Sequence, residues 1–418
     1  MLEKKTEDTI RDIEQTSGTP FYLYDLDSLR RRIQLLQTRL NSETELIYSA
    51  KANSHRKILE VAMQEGLSVD IASVGELERA LEAGFEKERI FFTGPAKRPN
   101  ELKRGLEVEI GAFVVESVDE LQEIDDLARR TGKRASIVVR LLPQQRLNHV
   151  GRLIVGEPSQ FGIDEAGLDA FLAALGRTKQ VQLIGTHSHV QSQILNAEYV
   201  IRNFEFALET SLLFQSKLVA SGNAHLARES MRVVLGGGLG IPYSLGAAAF
   251  DLDHFAIQLR GLCVKYRNSS PLPGKMKFAI ELGRYLVGEA GYFVAKILRC
   301  KNVHTQGGII RYGIADGGFA HCQIATGAGQ VVKSNLPFTI LNRSTTADAG
   351  QKQVGAIRAT VAGSTCYSQD ILLREIQMDG LESGDLVVIK NVGGYGKQFS
   401  PTEFLLQPAA AEHFVDVK

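Results

Sequence analysis

The stretch LIYSAKANSHRKILEVAMQEG, residues 46–66, contains a structural pattern that much of the chain repeats. It opens with an apolar run and continues with apolar side chains at i, i+3 and i+4 spacing, among them Ile58, Leu59, Val61 and Ala62. The first pattern is typical of a strand buried on both faces, and the second is typical of an amphipathic helix. Glycine readily takes the left-handed conformation that ends helices, so Gly66 marks a stop. The stretch therefore predicts one βα unit.

The same pattern recurs up to about residue 290. The further strand-like runs are LSVDIA (67–72), IFFTG (90–94), AFVVES (112–117), SIVVRL (136–141), VQLIGTHSH (181–189), RVVLGGG (232–238) and KFAIEL (277–282). Helical segments such as VGELERALEAGF and VDELQEIDDLARRTG lie between them and end near glycine. Eight βα units predict an α/β fold with a (β/α)₈ barrel, which we assign to residues 29–290.

Beyond residue 290 the helical periodicity is lost. Short strand-like runs are interrupted by glycine and asparagine, namely YFVAKIL, GGIIRYGIADGG, AIRATVAG and DLVVIKNVGGYG. This texture predicts a β-barrel or sandwich domain. The segment TPFYLYDLDSL (19–29) is strand-like and then helical, so we expect it to join that domain. The predicted β domain thus comprises residues 1–28 plus 291–418.

Composition narrows the class of protein. The 418 residues carry 48 basic and 48 acidic side chains, which argues against a nucleic-acid or anionic-membrane partner held by bulk charge. No apolar run approaches the roughly 18 residues of a membrane span. The N-terminus MLEKKTEDTIRDIEQ lacks the apolar core of a signal peptide. Four scattered cysteines without a CxxC fit a reducing, cytoplasmic compartment better than a disulfide framework or a zinc ribbon.

In such a barrel the functional groups follow the carboxyl ends of the strands. Lys51 directly follows the first strand, where burial of its charge is costly unless the amine is used as a nucleophile or reaches solvent by snorkelling. Other polar groups at strand ends are Asp70, Arg140, His187, His189 and Glu281, with Ser192 and Arg284 close behind two of them.

Several polar residues at or just after the strand ends could have a structural role instead of a catalytic one. Ser73 and Glu76 match a helix capping box, and we expect that role for them. His187 and His189 could hold a metal, but no companion ligands stand at other strand ends, so we predict no metal site. Glu281 and Arg284 could simply pair with each other.

The glycines Gly236, Gly237 and Gly238 follow the seventh strand, and backbone N–H groups in such a turn can approach an anion. Barrels commonly hold a phosphate after strands seven and eight, where Arg284 also lies. An amine, a phosphate cradle, a flat histidine ring and a carboxylate together describe the needs of pyridoxal 5′-phosphate. We therefore predict this cofactor.

The chain resembles the alanine-racemase-fold, pyridoxal-phosphate-dependent decarboxylases, the group of diaminopimelate and ornithine decarboxylases. The resemblance runs from TPFYLYD (19–25) to SPTEFLL (400–406). Its matching motifs are YSAKAN, DIASVGEL, QFGI (160–163), HSHVQSQ, GGGLGIPY, ELGRYLVGEAG, CYSQD (366–370) and GGYG (393–396).

The resemblance implies a role for each matching residue. Lys51 would carry the cofactor, Glu281 would pair with its ring nitrogen, and His189 would lie against its ring. Cys366 would come from the partner subunit of a head-to-tail homodimer as the proton donor. The implied phosphate ligands are Ser192, Gly236, Gly237, Gly238, Arg284 and Tyr395, and the implied supporting residues are Asp70, Glu76 and Arg140.

Within this group the chain is most similar to decarboxylases of carboxylate-siderophore pathways of the staphyloferrin B and rhizoferrin type. That likeness implies a substrate such as N-citrylornithine or citryl-diaminopropionate. Diaminopimelate decarboxylases carry glutamate after the catalytic cysteine, and here Tyr367 stands there. Gln191 replaces their usual glycine and Leu282 their usual proline, which suggests a reshaped pocket. The segment after CYSQD departs from the family pattern, so no role passes to Asp370.

Other functions remain open at this stage. They are a decarboxylase of free diaminopimelate, ornithine or lysine, an enzyme for a carrier-tethered amino acid, a metal-dependent hydrolase, a racemase and a catalytically inactive regulator. Retention of both Lys51 and Cys366 argues against the regulator. A tethered citrate would need cationic partners, for which Lys333, Arg343 and Arg358 are candidates, although each alone is more simply a solvated surface charge.

Overall fold

The computed structural model describes residues 2–40, 44–143, 152–153, 159–328, 334–342 and 357–416 of the chain. These residues form two compact units. The barrel unit comprises residues 30–241 and 249–285, and the sheet unit comprises residues 1–29, 242–248 and 286–418. The assignment of residues 29–290 and of the remainder as folding domains stays a prediction, because compactness does not test independent folding.

The helices and strands are numbered here along the described residues. The helices are α1 (Lys4–Ser17), α2 (Leu26–Leu40), α3 (Arg56–Gln64), α4 (Val74–Glu82), α5 (Pro99–Val108), α6 (Val118–Thr131), α7 (Leu168–Leu175), α8 (Ala197–Ala220), α9 (Leu252–Tyr266), α10 (Arg284–Val287) and α11 (Gln323–Thr326). The strands are β1 (Phe21–Asp25), β2 (Thr44–Ser49), β3 (Ser68–Ile71), β4 (Ile90–Phe92), β5 (Ala112–Val115), β6 (Ala135–Arg140), β7 (Arg152–Leu153), β8 (Val181–Ser188), β9 (Gln191–Ser192), β10 (Ala227–Gly236), β11 (Lys277–Leu282), β12 (Gly291–Thr305), β13 (Gly308–Ala315), β14 (Phe338–Leu341), β15 (Ile357–Ala362), β16 (Ile371–Met378), β17 (Leu386–Lys390) and β18 (Ala411–Val415).

The barrel unit confirms the predicted α/β class. Strands β2, β3, β4, β5, β6, β8, β10 and β11 close into a parallel barrel, and each coincides with one of the eight apolar runs. Apolar side chains fill the barrel interior, with Ile47, Phe91, Val138 and Val234 among them. Their burial explains why the runs are continuously apolar, since the outer face of each strand is covered by helices.

The helices of the barrel unit follow the predicted pattern. In α3 the buried residues are Ile58, Leu59, Val61 and Ala62, as expected from their spacing. Helix α6 ends at Gly132, which has φ 64° and so supplies the left-handed stop. Closure of the barrel brings the carboxyl ends of its strands to one rim, and the candidate site lies there.

The sheet unit is a mixed sheet with strand order β14-β17-β12-β13-β15-β16. Strand β1 pairs with β12 and with β18, which confirms that the segment around residues 19–29 joins this unit before the barrel begins. Five described helices and strands that lie wholly in the unit were not predicted, namely α1, α11, β14, β16 and β18. Within the described residues, no helix has the length and apolarity needed to cross a membrane.

Candidate active site

Lys51 lies in a short 3₁₀ turn, Ala50–Ala52, immediately after β2. Both flanking alanines are buried, which fixes the backbone, while the lysine side chain keeps 45% of its surface exposed. Its Nζ lies 2.8 Å from Oε1 of Glu281 and 3.4 Å from Oδ2 of Asp70. The turn therefore presents a primary amine at the rim of the barrel, against two carboxyl groups.

Glu281 lies at the centre of this cluster of polar side chains. Its side chain is 6% exposed, and Oε1 accepts a hydrogen bond from Ser49 Oγ at 2.6 Å as well as from Lys51. Its Oε2 lies 3.0 Å from Nε2 of His187. Burial alone would raise the pKa of Glu281, but the charge of Lys51 and the hydrogen bond from His187 hold that pKa well below its usual value. Glu281 is thus a buried, ionised carboxylate.

The pKa of Asp70 is shifted in the opposite direction to that of Glu281. Burial, followed by the negative charge of Glu281, raises the pKa of Asp70 well above its usual value, although Lys51 opposes this shift. Its Oδ1 accepts a hydrogen bond from Thr93, the residue that follows β4. Two neighbouring carboxyl groups with divergent pKa values leave one negative charge beside the lysine.

The two histidines at the end of β8 are both electrically neutral at physiological pH. Burial lowers the pKa of His187, and it lowers the pKa of His189 to about 3. Nδ1 of each ring is buried and has no hydrogen-bond partner among the described residues. His187 is tied to Glu281, whereas the ring of His189 packs over Gly236, where an added Cβ would lie 2.2 Å from the ring.

The three consecutive glycines form a tightly packed turn after β10. A Cβ at Gly237 would lie 2.2 Å from the carbonyl oxygen of Glu281, and a Cβ at Gly238 would lie 2.2 Å from that of Gln191. Gly238 also has φ 67°, which side-chain-bearing residues rarely adopt. Only glycine fits here, so the backbone itself lines the rim beside Ser192, which belongs to β9.

Arg140, at the end of β6, is buried and paired. Its Nη1 lies 3.0 Å from Glu116, and its guanidinium lies 4.4 Å from the ring centroid of Phe161. Glu116 also accepts a hydrogen bond from the backbone of Gly162 at 3.0 Å. The described contacts therefore place Arg140 as the link between the QFGI segment and the rim.

The expected helix-capping role is confirmed for Ser73, whose side chain accepts from the backbone of Glu76 at 3.2 Å. The carboxylate of Glu76 accepts from the backbone N–H of Ala72 at 2.7 Å, one residue before the N-cap. Arg284 opens α10 directly after β11.

Two predicted site residues, Cys366 and Tyr395, belong to the sheet unit. Cys366 is exposed, and Tyr395 is half-buried with φ 59°. The turn around Cys366 is organised by the buried carboxylate of Asp370, which accepts from the backbone of Phe319 at 2.7 Å and from both N–H and Oγ1 of Thr365.

The cationic candidates for a tethered carboxylate are placed only in part. Lys333 and Arg343 lie outside the described residues. Arg358 lies 3.0 Å from Glu375, so its charge is engaged within the sheet unit.

Sequence reasoning missed four contributions to the rim: Ser49 and His187 as partners of Glu281, Thr93 as a partner of Asp70, and Glu116 as the partner of Arg140. All four lie within or directly after the apolar runs, at strand ends. The strand-end rule already identifies His187, although not its bond to Glu281, and the same rule applied to every polar residue also selects Ser49, Thr93 and Glu116.

The side chains at the rim fit pyridoxal phosphate. A lysine amine suits covalent attachment, an ionised carboxylate suits a protonated ring nitrogen, and a neutral flat histidine suits contact with an aromatic ring. A buried imidazole nitrogen without a partner costs free energy, so Nδ1 of His189 fits a site that a polar ligand completes. The glycine turn excludes side chains from the place where an anion would approach the backbone.

Comparison with known proteins gives consistent matches. The family model described as pyridoxal-dependent decarboxylase, pyridoxal binding domain, matches residues 26–288. The L-glutamyl-BtrI acyl-carrier protein decarboxylase of Niallia circulans is 32% identical over 394 residues, which cover 94% of this chain and 88% of that protein. The 2-((L-alanin-3-ylcarbamoyl)methyl)-2-hydroxybutanedioate decarboxylase of Staphylococcus aureus is 28% identical over 389 residues, covering 93% of this chain and 92% of that protein.

Among solved structures, diaminopimelate decarboxylase from Helicobacter pylori complexed with L-lysine has a TM-score of 0.82. The match is 24% identical in sequence and covers 98% of this chain and 94% of that one. At 24% sequence identity, this structural similarity establishes the fold of the chain.

Proposed function

This chain belongs to the pyridoxal-dependent decarboxylase family and is a pyridoxal-phosphate-dependent amino-acid carboxy-lyase. From that premise, we propose that its substrate is an amino acid joined to a second chemical group. The proposed reaction removes the α-carboxylate of a diamino acid whose distal amine is joined to citrate, as in N-citrylornithine or citryl-diaminopropionate. The pathway would be siderophore biosynthesis. The observation that carries the choice is Tyr367, an aromatic residue next to Cys366.

The activities named for two relatives support a conjugated substrate. One acts on L-glutamyl attached to an acyl-carrier protein, and the other on an L-alanin-3-yl group attached through a carbamoyl to a hydroxybutanedioate. In both names the amino acid is joined to a larger group. A carrier-tethered amino acid is therefore the second candidate, and a free diamino acid is the third.

The Tyr367 side chain suits an amide better than an ammonium ion. Tyr367 as a whole residue is 37% exposed, and its ring packs against Phe319, with ring centroids 4.8 Å apart. The resemblance places glutamate here in enzymes that act on free diaminopimelate, where a carboxylate attracts the distal ammonium. A phenol offers apolar surface and one neutral hydrogen bond instead.

Each residue of the rim has a proposed task. When bound, pyridoxal phosphate supplies the electron sink that stabilises the negative charge left on the α-carbon as CO₂ departs. Lys51 would hold the cofactor through its amine, and Glu281 would keep a proton on the ring nitrogen because its own pKa is lowered. His187 and Ser49 orient the carboxylate of Glu281 by hydrogen bonds.

The remaining tasks concern the phosphate and the proton. His189 would lie against the cofactor ring as a neutral imidazole. Cys366 of the partner subunit would donate a proton to the α-carbon in a head-to-tail homodimer. The proposed phosphate ligands are Ser192, Gly236, Gly237, Gly238, Arg284 and Tyr395, and the proposed supporting residues are Asp70, Glu76 and Arg140. We also propose a cytoplasmic location, since the four cysteines are scattered along the sequence without a CxxC motif.

The decisive experiment is a comparison of kcat/KM measured by CO₂ release. The substrates are N-citrylornithine, citryl-diaminopropionate, a carrier-tethered glutamate, and free ornithine, lysine and diaminopimelate. We expect a citryl conjugate to exceed every free diamino acid by at least about tenfold, since a mispaired ammonium costs roughly 1.5–3 kcal/mol. A better rate with any free diamino acid would contradict the proposal, and a better rate with the carrier conjugate would favour the second candidate.

A further inference from the structure

Gln193 follows Ser192 and has an unusual backbone. Its φ is 62°, in the left-handed region that glycine tolerates and glutamine does not favour. Its side-chain amide makes two hydrogen bonds to one residue: Nε2 donates to the carbonyl oxygen of Ile241 at 2.6 Å, and Oε1 accepts from the N–H of Ile241 at 3.3 Å. The amide thus binds both polar backbone atoms of Ile241.

These two bonds complete a ladder between two segments of the barrel unit. The N–H of Ile194 donates to the carbonyl oxygen of Gly238 at 2.9 Å, and the N–H of Gly240 donates to that of Ile194 at 2.8 Å. Gly238 also approaches Gln191 so closely that a Cβ on Gly238 would lie 2.2 Å from its carbonyl oxygen. The segment containing Ser192 is therefore fastened to the glycine turn, with the Gln193 amide at one end.

Left-handed backbone in a non-glycine residue persists only where its surroundings enforce it. Glycine at this position would adopt the conformation without strain but would have no amide to bind Ile241. The strained glutamine therefore points to a function for its side chain rather than for its backbone.

We propose that Gln193 is a positioning residue that holds the Ser192 segment and the Gly236–Gly238 turn in register, so that together they bind the phosphate monoester of the cofactor. The inference rests on the proposed function, because it takes phosphate binding by these two segments as given. Gln193 acts through its neighbours and requires no contact with the cofactor.

The test measures cofactor affinity of the apoenzyme by equilibrium dialysis, with pyridoxal phosphate and with pyridoxal, which lacks the phosphate. Gln193→Gly removes the amide while tolerating the positive φ. We expect this change to raise the Kd for pyridoxal phosphate about tenfold and the Kd for pyridoxal by less than about twofold. Gln182→Ala is the matched control, because Gln182 lies at the opposite end of β8 from the site. Among the described residues, its side-chain oxygen accepts a hydrogen bond from Arg228 and not from the proposed cofactor-binding segments.

Each outcome decides a separate point. An equal change in both Kd values, or no change in either, would overturn the role of Gln193. If the unmodified protein binds the two compounds equally, the phosphate site itself is absent, which overturns both the inference and the phosphate assignment in the proposed function. If Gln193→Gly does not fold by circular dichroism, Gln193→Asn provides the same comparison, since asparagine tolerates the left-handed region and its amide is one methylene shorter.

Discussion

At the rim of the barrel, Lys51 is held between two carboxyl groups, whereas in the sheet unit Cys366 lies exposed in a turn. Around Lys51 the reactive atoms themselves are fixed, since Glu281 bonds Lys51, Ser49 and His187. Around Cys366 the backbone is fixed by Asp370, but the thiol is exposed. Under the proposed function, the barrel unit supplies the groups that attach the cofactor and pair with its ring, while the sheet unit supplies the proposed proton donor.

The largest expected effect follows removal of the amine. Lys51→Ala should lower kcat/KM by at least about a thousandfold, because the amine proposed to attach the cofactor is lost. Borohydride treatment followed by mass spectrometry should leave the variant without the covalently reduced cofactor that the unmodified protein retains. Lys57→Ala, which alters an exposed lysine on α3, is the matched control and should keep the adduct. An adduct that persists in Lys51→Ala would assign the attachment to another amine.

A smaller loss of activity is expected when Glu281 is substituted. Glu281→Gln should lower kcat by roughly a hundredfold or more while cofactor is still bound, because a neutral amide no longer holds a proton on the ring nitrogen. The measurement is kcat together with the bound cofactor absorbance. Glu45→Gln provides a control at the opposite end of the barrel, where Glu45 pairs with Ser68 and Arg232. Turnover near that of the unmodified protein would remove Glu281 from the mechanism.

The sheet unit can be tested by mixing variants. Cys366→Ala should reduce turnover by about a hundredfold, because it removes the proposed proton donor. In the proposed head-to-tail homodimer, mixing it with Lys51→Ala should restore about a quarter of the normal sites, because half of randomly formed dimers are mixed and each contains one intact site. Lys51 and Glu281 lie 2.8 Å apart in one unit, so a mixture of Lys51→Ala with Glu281→Gln should recover nothing beyond residual activity. Lack of recovery after demonstrated subunit exchange would place Cys366 and Lys51 in the same subunit's site.

The two regions also differ in how far sequence alone could predict them. The barrel strands are predictable because burial on both faces leaves a continuous apolar run. Strand β16, by contrast, alternates buried residues with Arg374 and Glu375, and α1 buries only Thr6 and Ile10, so neither produces a strong local signal. The sequence places Lys51, Asp70 and Glu281 at strand ends, but the hydrogen bond between Glu281 and His187 joins residues 94 positions apart and exists only once the barrel closes.

The opposite pKa shifts at the rim predict a pH effect on stability. The folded pKa of Asp70 is raised, so the folded state binds its proton more tightly than the unfolded chain does. Stability from this group is therefore present below the ordinary carboxyl pKa and is lost as pH rises towards the folded value, by up to about 1.4 kcal/mol per pH unit. Apo Asp70→Asn should gain stability relative to the unmodified apoenzyme as pH rises above about 4. Urea unfolding of both proteins across pH measures this, and a constant difference would mean that Asp70 is not protonated in the folded state.

The smallest expected effect is a change in substrate preference. It should follow substitution of Tyr367, which belongs to the sheet unit and not to the barrel unit. Tyr367→Glu introduces a carboxylate that attracts a distal ammonium, so the ratio of kcat/KM for a citryl conjugate to that for the free diamino acid should fall about tenfold. Tyr367→Phe keeps the packing against Phe319 and loses only the hydroxyl, so it should change the ratio by less than about threefold. Lys51 remains unchanged in both variants, so cofactor attachment should stay normal and serves as the internal control. If Tyr367→Glu leaves this ratio unchanged, Tyr367 does not face the substrate's distal group, because a carboxylate at that place would favour an ammonium over an amide. Other residues would then determine the selectivity.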